Sequence, residues 1–525
     1  MPRSIELLDS TLRDGAQAEG ISFSVNDKLE IARALDALGV AYIEAGNPAS
    51  NPKEPAFFAQ ANALRLANAK LCAFGSTRRK NTTATEDQSC AALLAANTPT
   101  VSVFGKCSPL HVSEILRTTP EENLRMIEDT CRFFAANGRE VLFDAEHFFD
   151  GYKSDASYAM ECLAAAARGS ARVLCLCETN GGAFPWEAEA VTRVVCQAFP
   201  GVAVGIHAHN DGDMATAISC AAVQAGASHV QGTLLGFGER IGNAALCAIT
   251  PNLQLKLGYS CLPADKLEQL VPTAMRIASV ANVTIPKNAP FVGASAFAHK
   301  AGMHADGVMK NAGSFEHIDP AAVGNRRRFL ISEVAGKAAV LRRARRLFPE
   351  LPEDSPAAAQ ILATLKEKEF EGYSYEGADA SFDLLIRHCL KGLPAFFALV
   401  SYKVLDELPY DNRGATATIK IKVGGQLKIA AAEGDGPVNA LDLALREALA
   451  AFYPQLAAVQ LLDYKVRIIE STVGTGTKVR VLITSGDGET QWTTVGVSHD
   501  IIEASWGALV DAVSHKLLKG ATEKC

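Results

Sequence analysis

The stretch Gly205–Asp211, GIHAHND, sets His207 and His209 one residue apart and follows them with Asn210 and Asp211. In a β-strand residues i and i+2 project to the same face, so the two imidazoles could meet one ion. His-x-His alone is equally compatible with a polar strand end. A metal site needs a third, anionic ligand and a scaffold that brings it near. Asp14, in the N-terminal stretch LLDSTLRDGAQAEG, offers a carboxylate. One carboxylate with two imidazoles suits a borderline divalent cation such as Zn, Mn or Co, with Mg also compatible. Three protein ligands leave coordination positions open for a substrate.

The scaffold is legible between Ile5 and about residue 257. Eight short apolar runs occur there: IELLD, AYIEAG, KLCAFG, TVSVFG, EVLFDAEH, RVLCLCET, AVGIHAH and HVQGTLLG. Amphipathic stretches separate them, such as SVNDKLEIARALDALG, with Ser24 or Asn26 able to cap its start and Gly39 closing its end. Near-continuous apolar strands alternating with helices predict a parallel sheet covered on both faces. Eight such units predict an α/β fold, the (β/α)8 TIM barrel. A doubly wound open sheet is the alternative, but it offers no reason to stop at eight.

TIM-barrel active sites gather at the C-terminal ends of the strands, and polar residues collect there in this chain. They are Asp9, Arg13 and Asp14 after the first strand, Glu44 after the second, and Glu146 and His147 after the fifth. Thr179 and Asn180 follow the sixth, and His207 and His209 end the seventh. After the eighth comes a glycine-rich loop, GFGERIGNA, with Glu239, Arg240 and Asn243. The barrel therefore brings Asp14 to the two histidines.

At 525 residues the chain is long enough for roughly two to four domains. A net charge of −7 provides no general field for nucleic acid. The start MPRSIELLDS lacks the apolar segment of a signal peptide, and no run is long enough to span a membrane. The thirteen cysteines form no CxxC pair, which fits buried thiols in a reducing cytoplasm; Cys175 and Cys177 alternate as on one face of a strand. No G-x-x-x-x-G-K loop supports nucleotide hydrolysis.

Residues from about 258 to 350 read as helices and loops. The basic run RRARRLFPE reads as a solvated helix face rather than a nucleic-acid patch, with the phosphates of a small ligand as a second candidate partner. PELPEDSPAAAQ, Pro349 to Gln360, reads as a linker. An internal repeat follows. The runs ATATIKIKV and QLKIAAAE lead into a helix with Pro437 in its first turn, and DYKVRIIES, TKVRVLITS and TQWTTVGVS lead into DIIEASWGALVDAVSHKLLKG. These readings divide the chain into a catalytic barrel (1–258), helical linker subdomains (259–359) and a C-terminal α+β domain (360–525).

LLDSTLRDGAQAEG and HAHND together resemble the DRE-TIM metallolyase superfamily. GFGERIGNAAL, FAHKAGMHADG and HIDPAAVGN narrow the resemblance to its Claisen-condensing branch, the isopropylmalate, homocitrate and citramalate synthases. Within that branch the chain looks most like the long-form (R)-citramalate synthases, through GISFSVNDKLEIARALDALGVAYIEAGNPASNPKE and FDAEHFFDGYK. The resemblance implies an acyltransferase that condenses acetyl-CoA with a 2-oxo acid, here pyruvate, giving (R)-citramalate and CoA in isoleucine biosynthesis. An isopropylmalate or homocitrate synthase is the alternative, and an inactive barrel kept as an amino-acid sensor a remote one.

Carried over residue by residue, the resemblance makes Asp14, His207 and His209 metal ligands, with Asn243 completing the set. Arg13 would lie over the oxo acid beside Asp14, Glu146 would act in proton transfer, and Thr179 would bind the substrate carboxylate. His304 and Asp306 would reach the site from the partner subunit of a homodimer. The family often has Tyr where this chain has Phe315, which puts any hydroxyl contribution there in doubt. The C-terminal domain would dimerise and bind an effector, isoleucine, with STVGTGTKV placed near the effector pocket.

Overall fold

The computed structural model describes residues 2–330, 337–352, 355–406, 414–470 and 477–522. Its contacts fall into two units, Met1–Phe297 with His317–Arg327, and Ala298–Glu316 with Arg328–Cys525.

The first unit is the expected barrel. Strands β1 (Glu6–Asp9), β2 (Tyr42–Glu44), β3 (Lys70–Ser76), β4 (Thr100–Lys106), β5 (Glu140–Glu146), β6 (Val173–Glu178), β7 (Ala203–Ala208) and β8 (His229–Gly232) pair in parallel and in sequence order. β1 closes on β8 with Leu7 opposite Val230 and Asp9 opposite Gly232. The helix Val25–Leu38 starts at Ser24, whose hydroxyl accepts from Asp27 N while Asp27 answers with its own carboxylate, and it stops at Gly39 in the left-handed region. Ile43, Val101, Leu174 and Ile206 are fully buried in the main core, which comprises strand and helix residues.

Because side chains alternate along a strand, one face of each strand supplies a separate inner series. Leu8, Tyr42, Cys72, Leu142, Val173 and Cys175 form a small apolar cluster of their own. Two residues further along the same strands stand Glu44, Phe74, Asp144 and Cys177. The interior turns from apolar to polar towards the C-terminal ends, and that change positions the site.

The second unit holds the helix Gly302–Lys310, then helices Lys337–Leu347, Ala357–Phe370 and Asp379–Lys391, which share a core of Val340, Ala344, Phe348, Ile361, Leu365, Phe382 and Ile386. The end of the Pro-rich stretch Pro349–Gln360 already belongs to the helix that Pro356 precedes; its Glu353 and Asp354 lie outside the described residues. Two antiparallel meanders follow, each covered by a helix. Pro437–Ala450 packs Leu441, Ala444 and Leu445 with Ala417, Ile419 and Ile421, and Ile501–Thr522 packs Ala504, Ala508 and Leu509 with Val481 and Ile483.

Two expectations need correction. The first meander has three strands rather than two, because Ala398–Asp406 pairs antiparallel with Ala415–Val423. It is an edge strand exposed along most of its length, and only Tyr402 and Val404, two residues apart, pack towards the core. The basic run is not a uniformly solvated face either. Arg343 is half-buried and donates to Asp383 at 2.6 Å, and Arg342 lies over the Phe329 ring at 5.0 Å. Of STVGTGTKV, Ser471–Gly476 lie outside the described residues.

Candidate active site

A cavity of about 360 Å³ opens at the C-terminal ends of the strands, lined by Arg13, Asp14, Gln17, Asn47, Phe74, Phe104, Asp144, Glu146, Cys177, Thr179, His207, His209, Glu239 and Arg240. The three residues expected to hold a metal are all buried, with one donor atom from each within 4.8 Å of the others. His207 Nε2 stands 3.8 Å from Asp14 Oδ2.

Asn243 reaches this group through its loop. Backbone bonds from Ala244 N to Ala208 O and from Asn210 N to Gly242 O, both 2.9 Å, zip the loop to the end of β7. Asn243 Nδ2 then donates to Asp14 Oδ1 at 2.8 Å and to Phe237 O at 3.1 Å. Glycine is required for this approach. A Cβ on Gly238 would lie 2.1 Å from Asn243 Nδ2, and one on Gly242, at φ +103, would lie 2.0 Å from Gly236 O.

The electrostatics suit a cation. Burial pushes the Asp14 carboxyl up, but the Arg13 guanidinium, the two histidines and Asn243 outweigh it and hold it at about 2. Burial, then the neighbouring His207, brings His209 down to about 4; burial also lowers His207. At neutral pH the set is one carboxylate and two neutral imidazoles, which is the protonation a divalent ion requires. Two buried atoms here, His209 Nδ1 and Asn243 Oδ1, have no hydrogen-bond partner. Orphaned acceptors beside an anionic carboxylate are the donor set a divalent metal fits.

The imidazole of His207 is oriented from behind. Gln231, fully buried, donates through Nε2 to Asp144 Oδ1 at 2.8 Å, so its Oε1 faces His207 Nδ1 at 3.0 Å. That oxygen can only accept. Nδ1 therefore carries the proton, and the Nε2 lone pair points towards Asp14. Asp144 also accepts from Ser102 Oγ at 2.6 Å; burial and then the Glu44 charge push its carboxyl up to about 7.

Arg13 Cζ lies over the Phe74 ring, 3.8 Å from its centroid, and Phe74 in turn stacks on Phe104. Its Nε donates to Glu44 at 2.6 Å and one Nη to Asp14 at 2.7 Å, which leaves guanidinium donors for a ligand on the cavity wall. Ser10 Oγ donates to the same Glu44 oxygen, Oε2, at 2.5 Å. On the opposite wall Lys106 Nζ lies 2.5 Å from Glu146 Oε2. Thr179 Oγ1 accepts from His147 N at 2.9 Å, so its own O–H remains to be donated. Arg240 braces that segment, donating to Thr179 O and to both oxygens of Asp211.

Not every polar strand end joins the cavity. Asp9 is buried, accepts from Thr11 N at 2.8 Å and is pushed up to about 7, chiefly by burial; it shapes the turn after β1. The His147 ring is tilted against that of His111, 3.8 Å between centroids, and Asn180 donates to Asp150. His304 and Asp306 belong to the second unit, on the helix Gly302–Lys310. There His304 stacks on Phe315 at 4.1 Å and Asp306 accepts from Lys310 at 2.6 Å. Gln231, Lys106, Ser102 and Ser10 escaped the sequence reading. A glutamine amid the buried strand HVQG was the available signal, since an amide on a core-facing position must have partners.

Three families match successive stretches: HMGL-like over residues 4–275, homocitrate synthase post-HMGL domain-like over 291–370, and the LeuA allosteric (dimerisation) domain over 376–517. The chain is 47% identical to the (R)-citramalate synthase of Aquifex aeolicus over 100% of its own length and 99% of that protein. It is also 47% identical to the (R)-citramalate synthase of Synechocystis, covering 98% of this chain and 96% of that one. A 2-isopropylmalate synthase from Halalkalibacterium halodurans is 30% identical over 98% of this chain and 97% of its own.

Proposed function

Because the chain belongs to the (R)-citramalate synthase family, we propose that its barrel condenses acetyl-CoA with pyruvate and releases (R)-citramalate and CoA. The observation that carries this reading is the convergence of Asp14, His207, His209 and Asn243 beside the free guanidinium edge of Arg13.

A divalent cation held by those four residues, Zn, Mn, Co or Mg, would supply polarisation of a 2-oxo acid's keto group. The rest falls to the chain. The Thr179 hydroxyl donates to the acceptor's carboxylate. Glu146, beside Lys106, stands as the group that takes a proton from the methyl of acetyl-CoA, and the resulting carbon nucleophile attacks the keto carbon. Arg13, held on Phe74 and Glu44, stabilises the alkoxide as it forms. Thioester hydrolysis then frees CoA. Phe74, Phe104 and Asp144 line the cavity, and bulk there supports a small acceptor, pyruvate, over 2-oxoisovalerate or 2-oxoglutarate.

We read the chain as three domains, 1–258, 259–359 and 360–525, with His304 and Asp306 completing the partner's site in a homodimer. The meanders support association, because they leave Leu399, Leu405, Leu427, Ile429, Leu462 and Ile468 exposed. Isoleucine is the proposed effector of the C-terminal domain, and isoleucine synthesis in the cytoplasm the proposed setting; among the described residues no helix is long and apolar enough to cross a membrane. The test is CoA release from acetyl-CoA with pyruvate, 2-oxoisovalerate and 2-oxoglutarate in turn. Pyruvate should be preferred at least tenfold in kcat/KM, about 1.4 kcal/mol of transition-state discrimination. Preference for either other acid would reassign the acceptor.

A further inference from the structure

The short strand β2 ends at Glu44, and a buried ion pair outside the catalytic cavity grips the chain just beyond that end. Lys28 stands in the helix Val25–Leu38, and Glu54 in the first turn of the helix Lys53–Ala61. Both are buried, at 2% and 5% exposure, and neither lines the cavity. Lys28 Nζ donates to Glu54 Oε1 at 2.7 Å, to Glu54 Oε2 at 2.6 Å and to Ala45 O at 2.8 Å. Those three bonds occupy every proton of the ammonium. The carboxylate packs against Gly46, where a Cβ would lie 2.0 Å from Glu54 Oε2.

The gripped dipeptide, Ala45–Gly46, is tied to two supports of Arg13. Glu44, which accepts from Arg13 Nε at 2.6 Å, is the residue before it. Phe74, whose ring lies beneath the guanidinium, donates its N–H to Gly46 O at 2.9 Å. On the other side the register of β1 with β2 stops at Asp9 opposite Ile43, two residues short of Ala45. A buried ion pair adds little net stability, because desolvating two charges offsets most of their attraction. Apolar side chains could fill the same volume, but they would leave the buried Ala45 carbonyl without this donor. What the pair supplies is a fixed position.

We propose that Lys28 and Glu54 are positioning residues for the condensation: the pair fixes Ala45–Gly46 and thereby holds Glu44 and Phe74 where they aim Arg13. This rests on the reading of Arg13 as the group that stabilises the forming alkoxide. Neither Lys28 nor Glu54 touches a substrate. A displacement of about 1 Å at a reacting group can cost about 10²-fold in rate, so even a partial slackening of this support is measurable.

The test is a double-mutant cycle on the full-length protein. Lys28→Met/Glu54→Met keeps the volume with two unbranched apolar side chains. Glu54→Gln is the milder variant, whose amide sets an N–H group against the ammonium. Each is made in the parent and in the Arg13→Lys background, with kcat and melting temperature measured for all. In the parent background each folded variant should lose at least about fivefold in kcat. In the Arg13→Lys background the loss should shrink to under about twofold, because effects that act through one residue are not additive. A pair that merely stabilised the fold would give the same loss in both backgrounds. That result overturns the proposal, and so does a smaller loss in a folded variant of the parent. If Lys28→Met/Glu54→Met does not fold, Glu54→Gln decides by the same criteria. Full activity of Arg13→Lys alone would remove the reading of Arg13 and the proposal with it, whereas an impaired Arg13→Lys beside unimpaired pair variants overturns the proposal alone.

Discussion

Replacing Gln231 with Leu removes both ends of the bridge between His207 and Asp144 while keeping most of the side-chain volume. His207 Nδ1–H then loses its acceptor, and the imidazole becomes free to turn or change tautomer. Asp144 keeps only Ser102 as a donor, so its carboxyl, already near 7, rises further. Partners of this kind are worth about 10–100-fold in metal affinity, or about 1.4–2.7 kcal/mol. The buried, unpaired N–H adds about 1–3 kcal/mol of lost stability. Gln231→Glu is the informative companion, because a carboxyl group at the same place can still accept from Nδ1. The assay is competition for Zn or Mn against a fluorescent chelator, with thermal unfolding measured in parallel. Gln231→Leu should bind metal at least about tenfold more weakly, and Gln231→Glu should fall between it and the parent. If Gln231→Leu binds within about threefold of the parent, the tautomer is set elsewhere and the reasoning fails.

Arg13→Lys should lower kcat by about 10²–10³, because a compact ammonium lacks the planar fork whose separate nitrogens bond Glu44 and Asp14 and leave further donors for a ligand; a loss under about threefold would make Arg13 structural. Mixing inactive His304→Ala with inactive Glu146→Ala subunits should restore part of the activity, since one site of a mixed dimer would be intact; no recovery after verified exchange points to completion in cis. At the N-terminal end of the barrel, burial raises the Glu6 carboxyl, but His229 and Arg172 outweigh it and hold it at about 2, against 4.5 in the unfolded chain. A depressed carboxyl stabilises the fold above the unfolded value and loses that contribution as pH falls to about 2. The group is half-exposed, so screening limits the contribution to about 1 kcal/mol. The difference in urea midpoint between parent and Glu6→Gln should be constant above pH 5.5 and vanish towards about pH 2; a difference that grows on acidification would reverse the assignment.

Much of the barrel was readable from one dimension because its signals are local. Eight apolar runs at helix-length spacing admit few topologies, and the period of two places His207 and His209 on one face whatever surrounds them. GFGERIGNA announced a tight loop, since only glycine tolerates the approach that brings Asn243 to Asp14. Motifs named the residues at the strand ends for the same reason: the ends of parallel strands meet in any closed barrel.

What the sequence could not decide was which of those ends turn inward to one cavity and which are consumed by their neighbours. Asp9 and Asp14 are both aspartates after β1, yet Asp9 caps its own turn and Asp14 faces two histidines from another strand. Gln231 and His207 are 24 residues apart, Gln231 and Asp144 87, and no local pattern couples them. The edge strand Ala398–Asp406 went unread because most of it is exposed and its pairing with Ala415–Val423 is a tertiary choice. The basic run looked uniform in sequence, yet one arginine found a carboxylate 40 residues away and another lies over the Phe329 ring. Periodicity is a property of the backbone and survives in any context. The partner of a buried polar group depends on which surfaces pack against it, and only the folded chain supplies those.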